Sequence, residues 1–154
     1  MVPRLIALQR SRILGPTAKQ LLLALRSLDF PANVRYGTDL RFKHGGAGVV
    51  VHPLTVIGDR VTIYHRVTIG QSNPEGEEYA FGGITIEDDV ILAAGCFVLG
   101  GDEPLVVRRG TVVGAGAVLL QSTGEGEVWA GVPARPIGST NALLRRNAPP
   151  LREA

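Results

Sequence analysis

The chain has 154 residues, enough for one domain of ordinary size with a real core. Its 45% hydrophobic content argues against disorder, and a single Cys excludes a disulfide framework or a multi-cysteine zinc site. The net charge of +2 is unevenly spread: residues 1–28 hold Arg4, Arg10, Arg12, Lys19 and Arg26 with no acid, and the remainder is net −3, so no basic body for nucleic acid is expected. No apolar run approaches the ~18–20 residues that cross a membrane. No signal-peptide core is apparent, so a cytoplasmic protein without membrane contact is expected.

Twenty Gly, ten Pro and 26 Val plus Ile stand against 5% aromatics. That mix favours many short strands joined by tight corners over a helical bundle. In chain order, the first element is a helical cap over residues 1–28. Pro16 or Thr17 starts its helix, and Leu21, Leu22, Leu25 and Leu28 form the stripe meant to pack on the body. Asp29-Phe30-Pro31 ends it.

From Phe30 onward the apolar residues keep a period of six. The series runs Phe30, Tyr36, Phe42; then Val51, Ile57, Ile63, Ile69; then Ile86, Leu92, Val98; then Val107, Val113, Leu119. The fifth position of each unit is small or β-branched, as at Val34, Thr55, Val61, Val67, Val90, Cys96, Thr111 and Ala117, with Leu40 and Asn73 also falling there. A plain strand repeats every two residues and a helix every 3.6. A period of six requires a short strand plus a corner. Three such units close one triangular coil of a parallel β-helix, whose interior takes the first and fifth residues and has little room for rings. About four coils fit between residues 30 and 120.

Three breaks in phase mark excursions. The first is Gly45-Gly46-Ala47-Gly48, the second spans Gln71–Gly83, and the third lies around Gly101–Pro104. Binding groups concentrate on such loops.

Three stretches carry a family resemblance. They are Asp29 with His44-Gly45-Gly46 and Val49–Pro53; Val61–Ile63 with Val67–Gly70; and Val113–Val118 followed by Ala130-Gly131-Val132-Pro133-Ala134-Arg135. Over residues 29–138 the chain resembles the hexapeptide-repeat, left-handed parallel β-helix acyltransferases, and within them the short serine O-acetyltransferase-like members. The resemblance implies a mainly β fold: a left-handed β-helix over 29–137, a short N-terminal helix, and a C-terminal helix and tail over 138–154, with the helix near Asn141–Arg146. It also implies a homotrimer that moves an acetyl group from acetyl-CoA to a small hydroxyl acceptor. His44 matches the family's base and Asp29 its partner carboxylate. The chain departs from the serine-specific pattern in two places. Tyr79–Ile84 holds no second histidine, and no lysine follows Gly70. The acceptor therefore stays open among serine, a sugar and related hydroxyl compounds.

The residues themselves support that chemistry. A hydroxyl is a poor nucleophile at neutral pH, and imidazole is suited to take its proton. His44 is the leading candidate, with Asp29 fixing its tautomer and backbone N–H groups of Gly45–Gly48 facing the oxyanion. His65 shares the hexad position of His44 and should point outward, as an acceptor contact or alternative base. His52 follows Val51 at a corner and reads as structural. A three-histidine metal site is the competing reading, disfavoured by spacings of eight and thirteen residues, so no metal is expected. A non-catalytic scaffold is the other alternative. Cys96 reads as a buried core residue, Asp88 and Asp89 as corner residues, Trp129 as a packing anchor, and Glu75, Glu77 and Glu78 as solvated loop. For CoA, Ala94 and Ala115 would let the pantetheine approach the backbone. Arg135 would meet the phosphates, with Arg145 and Arg146 next.

Overall fold

The computed structural model describes residues 2–9, 11, 15–72 and 81–141. Asn73, Glu75, Glu77, Glu78, Tyr79, Arg145 and Arg146 lie outside them, as does the expected C-terminal helix beyond Asn141.

The described residues form fourteen short strands, the first twelve within the six-residue period: β1 (Arg35–Tyr36), β2 (Arg41–Phe42), β3 (Val50–Val51), β4 (Thr55–Ile57), β5 (Thr62–Ile63), β6 (Thr68–Gln71), β7 (Ile84–Ile86), β8 (Ile91–Leu92), β9 (Phe97–Gly100), β10 (Leu105–Val107), β11 (Val112–Val113), β12 (Val118–Leu119), β13 (Glu127–Gly131) and β14 (Ala134–Ser139). The first face is β1-β4-β7-β10, the second β2-β5-β8-β11-β13-β14, and the third β3-β6-β9-β12. Within each face all neighbours are parallel except the closing β13–β14 pair. From β1 to β12 successive strands belong to successive faces, so the chain winds through four coils.

The register explains the phase breaks. Val51 pairs with Ile69, eighteen residues on, which is three uninterrupted hexads. Ile69 pairs with Val98, twenty-nine residues on, across the long excursion. Val98 pairs with Leu119, twenty-one residues on, across the third excursion. Looping residues out keeps every inward position above its predecessor.

The interior is as the template requires. Ile63, Ile69, Ile86, Leu92, Val98, Val107, Val113 and Leu119 are fully buried, as are the fifth-position residues Val61, Val67, Val90, Cys96, Thr111 and Ala117. Each buried aliphatic side chain of this kind stabilises by about 1.5–3 kcal/mol relative to exposure. At the open end of the first coil the core widens. There Phe30 meets Tyr36 and Phe42 edge-to-face, each with ring centroids 5.8 Å apart.

The cap covers that end with two helices, α1 (Val2–Leu8) and α2 (Gly15–Arg26). α2 stops three residues short of the expected Asp29 break. Ser27 turns left-handed (φ 50°), its N–H donates to the Leu23 carbonyl, and that of Leu28 donates to Leu22. These bonds satisfy carbonyls the helix end would leave open. The expected leucine stripe is split. Leu22 and Leu28 are buried, whereas Leu21 and Leu25 are exposed, because α2 packs through the narrow line of Ala18 and Leu22. At the other end, the Ala130–Arg135 motif is the turn of the β13–β14 hairpin, so extended chain runs past the expected 137 boundary to Ser139.

Along the corner between the first and second faces runs a ladder of charge. Arg60 pairs with Asp89 at 2.7 Å, Arg109 with Asp88 at 3.4 Å and Arg108 with Glu87 at 2.9 Å. Asp88 also accepts the Asp59 N–H, and Asp89 sits in the left-handed region (φ 60°), so both acids serve the corner.

Candidate active site

Residues 43–49 turn the chain from the second face to the third in the first coil. A 3-10 turn, Lys43–Gly46, takes left-handed backbone at His44 (φ 51°, ψ 30°) and again at Gly45 and Gly46. Left-handed backbone is costly for a residue with a Cβ. At His44 it lifts the imidazole off the corner into solvent, and the glycines absorb the rest of the turn.

The same corner one coil later carries His65. The two imidazoles lie 4.8 Å apart between centroids, nearly perpendicular at 86°. Tyr64 is beside them, its ring 6.2 Å from that of His44. His65 is half-buried, and its Nδ1 is buried with no hydrogen-bond partner. His44 and His65 line one cleft of about 590 Å³ with Arg26, Ser27, Ala47, Gly48 and Arg66.

Backbone hydrogen bonds stack this corner through the whole prism. The Gly48 N–H donates to Arg26, Arg66 to Ala47, Gly95 to His65, and Gly116 to Ala94. Ala94 and Ala115 therefore continue the column that His44 and His65 begin, at the coil spacing of ~4.8 Å. Beyond Gly95 and Gly116 a Cβ would meet nothing within 4 Å, so the column is an open track. Its far end is the hairpin: the Gly114 N–H donates to the Trp129 carbonyl, and Ala130 pairs with Arg135, which is exposed.

Asp29 is held by its backbone. It forms a parallel bridge with Val50 on the third face, donating its N–H to Val49 and accepting from Val51. Asp29 lines a separate cavity of about 460 Å³ with His52, Thr68 and Gln71, and its Oδ1 is buried without a partner. Among the described residues no hydrogen bond joins Asp29 to His44. Three turning glycines, Ala47 and Val49 lie between His44 and Val50, the residue that Asp29 bridges.

The other two excursions emerge at the next corner, between the third and first faces. Phe81 packs edge-on against His52, with centroids 4.3 Å apart, and Gly82 donates to Gly101. His52 Nδ1 accepts the Leu54 N–H, and burial lowers its pKa below 6.5. It thus pins a corner, as its place in the sequence suggests. Cys96 is buried, and burial pushes its thiol up to about 12, far from a nucleophile. Trp129 is buried and donates from Nε1 to Glu127. Among the described residues no three His, Cys, Asp or Glu side chains gather as a metal site. No described helix is long and apolar enough to cross a membrane.

Arg26 and Arg66, at the mouth of the cleft, were not legible as site residues. Only the stacking of the corner brings them to His44.

No family model matches the sequence. A serine acetyltransferase from Bacillus licheniformis is 35% identical over 103 residues, covering 66% of this chain and 44% of the relative. Among solved structures, a serine acetyltransferase in complex with coenzyme A from Brucella abortus superposes with a TM-score of 0.73 at 27% identity, covering 90% of this chain and 54% of the other. Soybean serine acetyltransferase complexed with serine gives a TM-score of 0.73 at 27% identity, over 88% and 56%. The chain thus spans about half the length of the relatives it matches. Repeat, three-faced winding and relatives together show that this chain belongs to the hexapeptide-repeat, left-handed β-helix acyltransferase superfamily, as a relative of the serine acetyltransferases.

Proposed function

We propose that the chain is an O-acetyltransferase that moves an acetyl group from acetyl-CoA to a small hydroxyl acceptor. The observation that carries this reading is the paired imidazoles of His44 and His65 at the head of an open, small-residue corner. In the proposed reaction the acceptor oxygen attacks the thioester carbonyl while His44 takes its proton. The new C–O ester bond forms, the C–S bond breaks, and the proton passes from His44 to the departing CoA sulfur. A positioned base of this kind contributes about 10²–10⁴-fold.

The pantetheine arm would lie along Ala94 and Ala115, where backbone is reachable, with its phosphates toward Arg135. The bound CoA and serine of the two solved relatives make both plausible substrate classes to try first. His65 would contact the acceptor or steady the His44 ring. Asp29 is kept as the carboxylate partner of His44. Its buried, unpartnered oxygen lacks a donor, and the exposed His44 side chain makes no hydrogen bond among the described residues. A homotrimer is supported by Val50 and Phe97, each 41% exposed on the third face.

The test is thiol release from acetyl-CoA with a panel of hydroxyl acceptors, serine first. His44→Ala should lower turnover at least a hundredfold with the fold intact. Turnover of that variant near wild type would sink the assignment of the base.

A further inference from the structure

Two arginines line the cleft of His44, and backbone hydrogen bonds hold both residues. Arg26 closes α2, and its carbonyl accepts the Gly48 N–H; the Arg66 N–H donates to Ala47. The Arg26 guanidinium and the Arg66 stem are each seated on a glycine of the His44 loop. A Cβ at Gly45 would meet Arg26 Nη1 at 2.6 Å, and one at Gly48 would meet Arg66 Cγ at 3.2 Å. The absence of side chains at these two positions leaves room for both arginines in the cleft that His44 lines.

Both arginines are exposed, and neither has an ion pair among the described residues. Among the described residues no Asp or Glu lines their cleft, and Lys43 adds a third exposed cation one residue from His44. The arginines of the charge ladder, by contrast, are matched with acids. Planar guanidinium forks suit carboxylate and phosphate groups. Among the described residues the cleft holds no carboxylate to neutralise an ammonium group.

Building on the acetyltransferase reading above, we propose that the acceptor is an anionic hydroxyl compound, whose carboxylate or phosphate is held by Arg26 and Arg66 while its hydroxyl faces His44. An amino group is not a recognition element. The CoA phosphates are placed at the other end of the corner, so they do not account for this pair.

The probes are glycerate, serine, glycerol and serinamide. All four carry a hydroxymethyl group; the first two add a carboxylate, and serinamide adds only a cation. Binding is read from the ring resonances of His44 and His65 by NMR, without CoA. Glycerate and serine should shift them with similar affinity, at least about tenfold tighter than glycerol or serinamide. Arg26→Gln and Arg66→Gln should each weaken glycerate about tenfold or more, and Arg108→Gln should leave it unchanged. Glycerol or serinamide binding as well as glycerate overturns the proposal, as do arginine variants within twofold of wild type, or an Arg66→Gln effect confined to the KM of acetyl-CoA. Thiol release with the same acceptors separates the two readings. Glycerate binding without release from any acceptor fells acetyl transfer and leaves the anion site standing.

Discussion

The His44 and His65 rings meet at right angles, 4.8 Å apart, although twenty-one residues separate them in the chain. Phe42 and Ile63, each two residues earlier, are register partners on the second face, so the imidazoles inherit their spacing from the β-ladder. This division of labour can be separated by substitution. His44→Ala should lower kcat by about 10²–10⁴. His65→Ala should lower it by a smaller factor, about tenfold, and His65→Gln should recover part of it. A larger loss at His65 than at His44 would make His65 the base.

The open corner predicts where bulk interferes. Ala115 is exposed and makes no core contact, so Ala115→Trp should leave the melting temperature within about 2 °C. It should raise the KM for acetyl-CoA tenfold or more with a smaller change in kcat. The same substitution at exposed Ser122, on a different corner, is the control.

Cys96 should be silent toward thiol reagents. Its side chain is fully buried and its pKa is pushed up to about 12, so almost no thiolate exists at pH 8. A dinitrobenzoate assay on the native protein should give under one tenth of a thiol per chain, and one thiol after denaturation. Rapid reaction in the native state would contradict the packing.

Acid should loosen the charged corner before the core. The Arg60 guanidinium holds the Asp89 carboxyl below its ordinary 3.8. The folded value lies below the unfolded one, so this contribution is full above about pH 4 and fades as pH falls through the folded value. The melting temperature should drop below pH 4, and Asp89→Asn should flatten that drop. Both groups are exposed, so the effect is small and shrinks with salt.

His52 carries the opposite case for a base. Burial lowers its pKa below 6.5, so its contribution is full above that value and fades as pH falls toward the folded one. Its ring resonance should titrate below 6.5. A midpoint above 6.5 would mean that the ring is not held against Phe81 and the Leu54 N–H.

Much of the molecule is written in the order of residues. Hexad positions such as Ile63 and Val98 declare themselves inward because only a three-faced coil puts every sixth residue on one interior line, and local spacing suffices to see it. His44 and the turning glycines beside it are equally local, since a left-handed corner is a property of a few consecutive residues. What the sequence could not decide is which excursions share a corner and which cations meet. The three phase breaks look alike in the chain, yet one rises beside His65 and the other two fold together at His52 and Phe81. Asp29 stands fifteen residues before His44, and it is its bridge to Val50 that sets which face its backbone joins. Arg26 and Arg66 reach His44 through hydrogen bonds between coils, a contact set by stacking. Period determines what points inward; the closing of coil on coil determines who are neighbours outside.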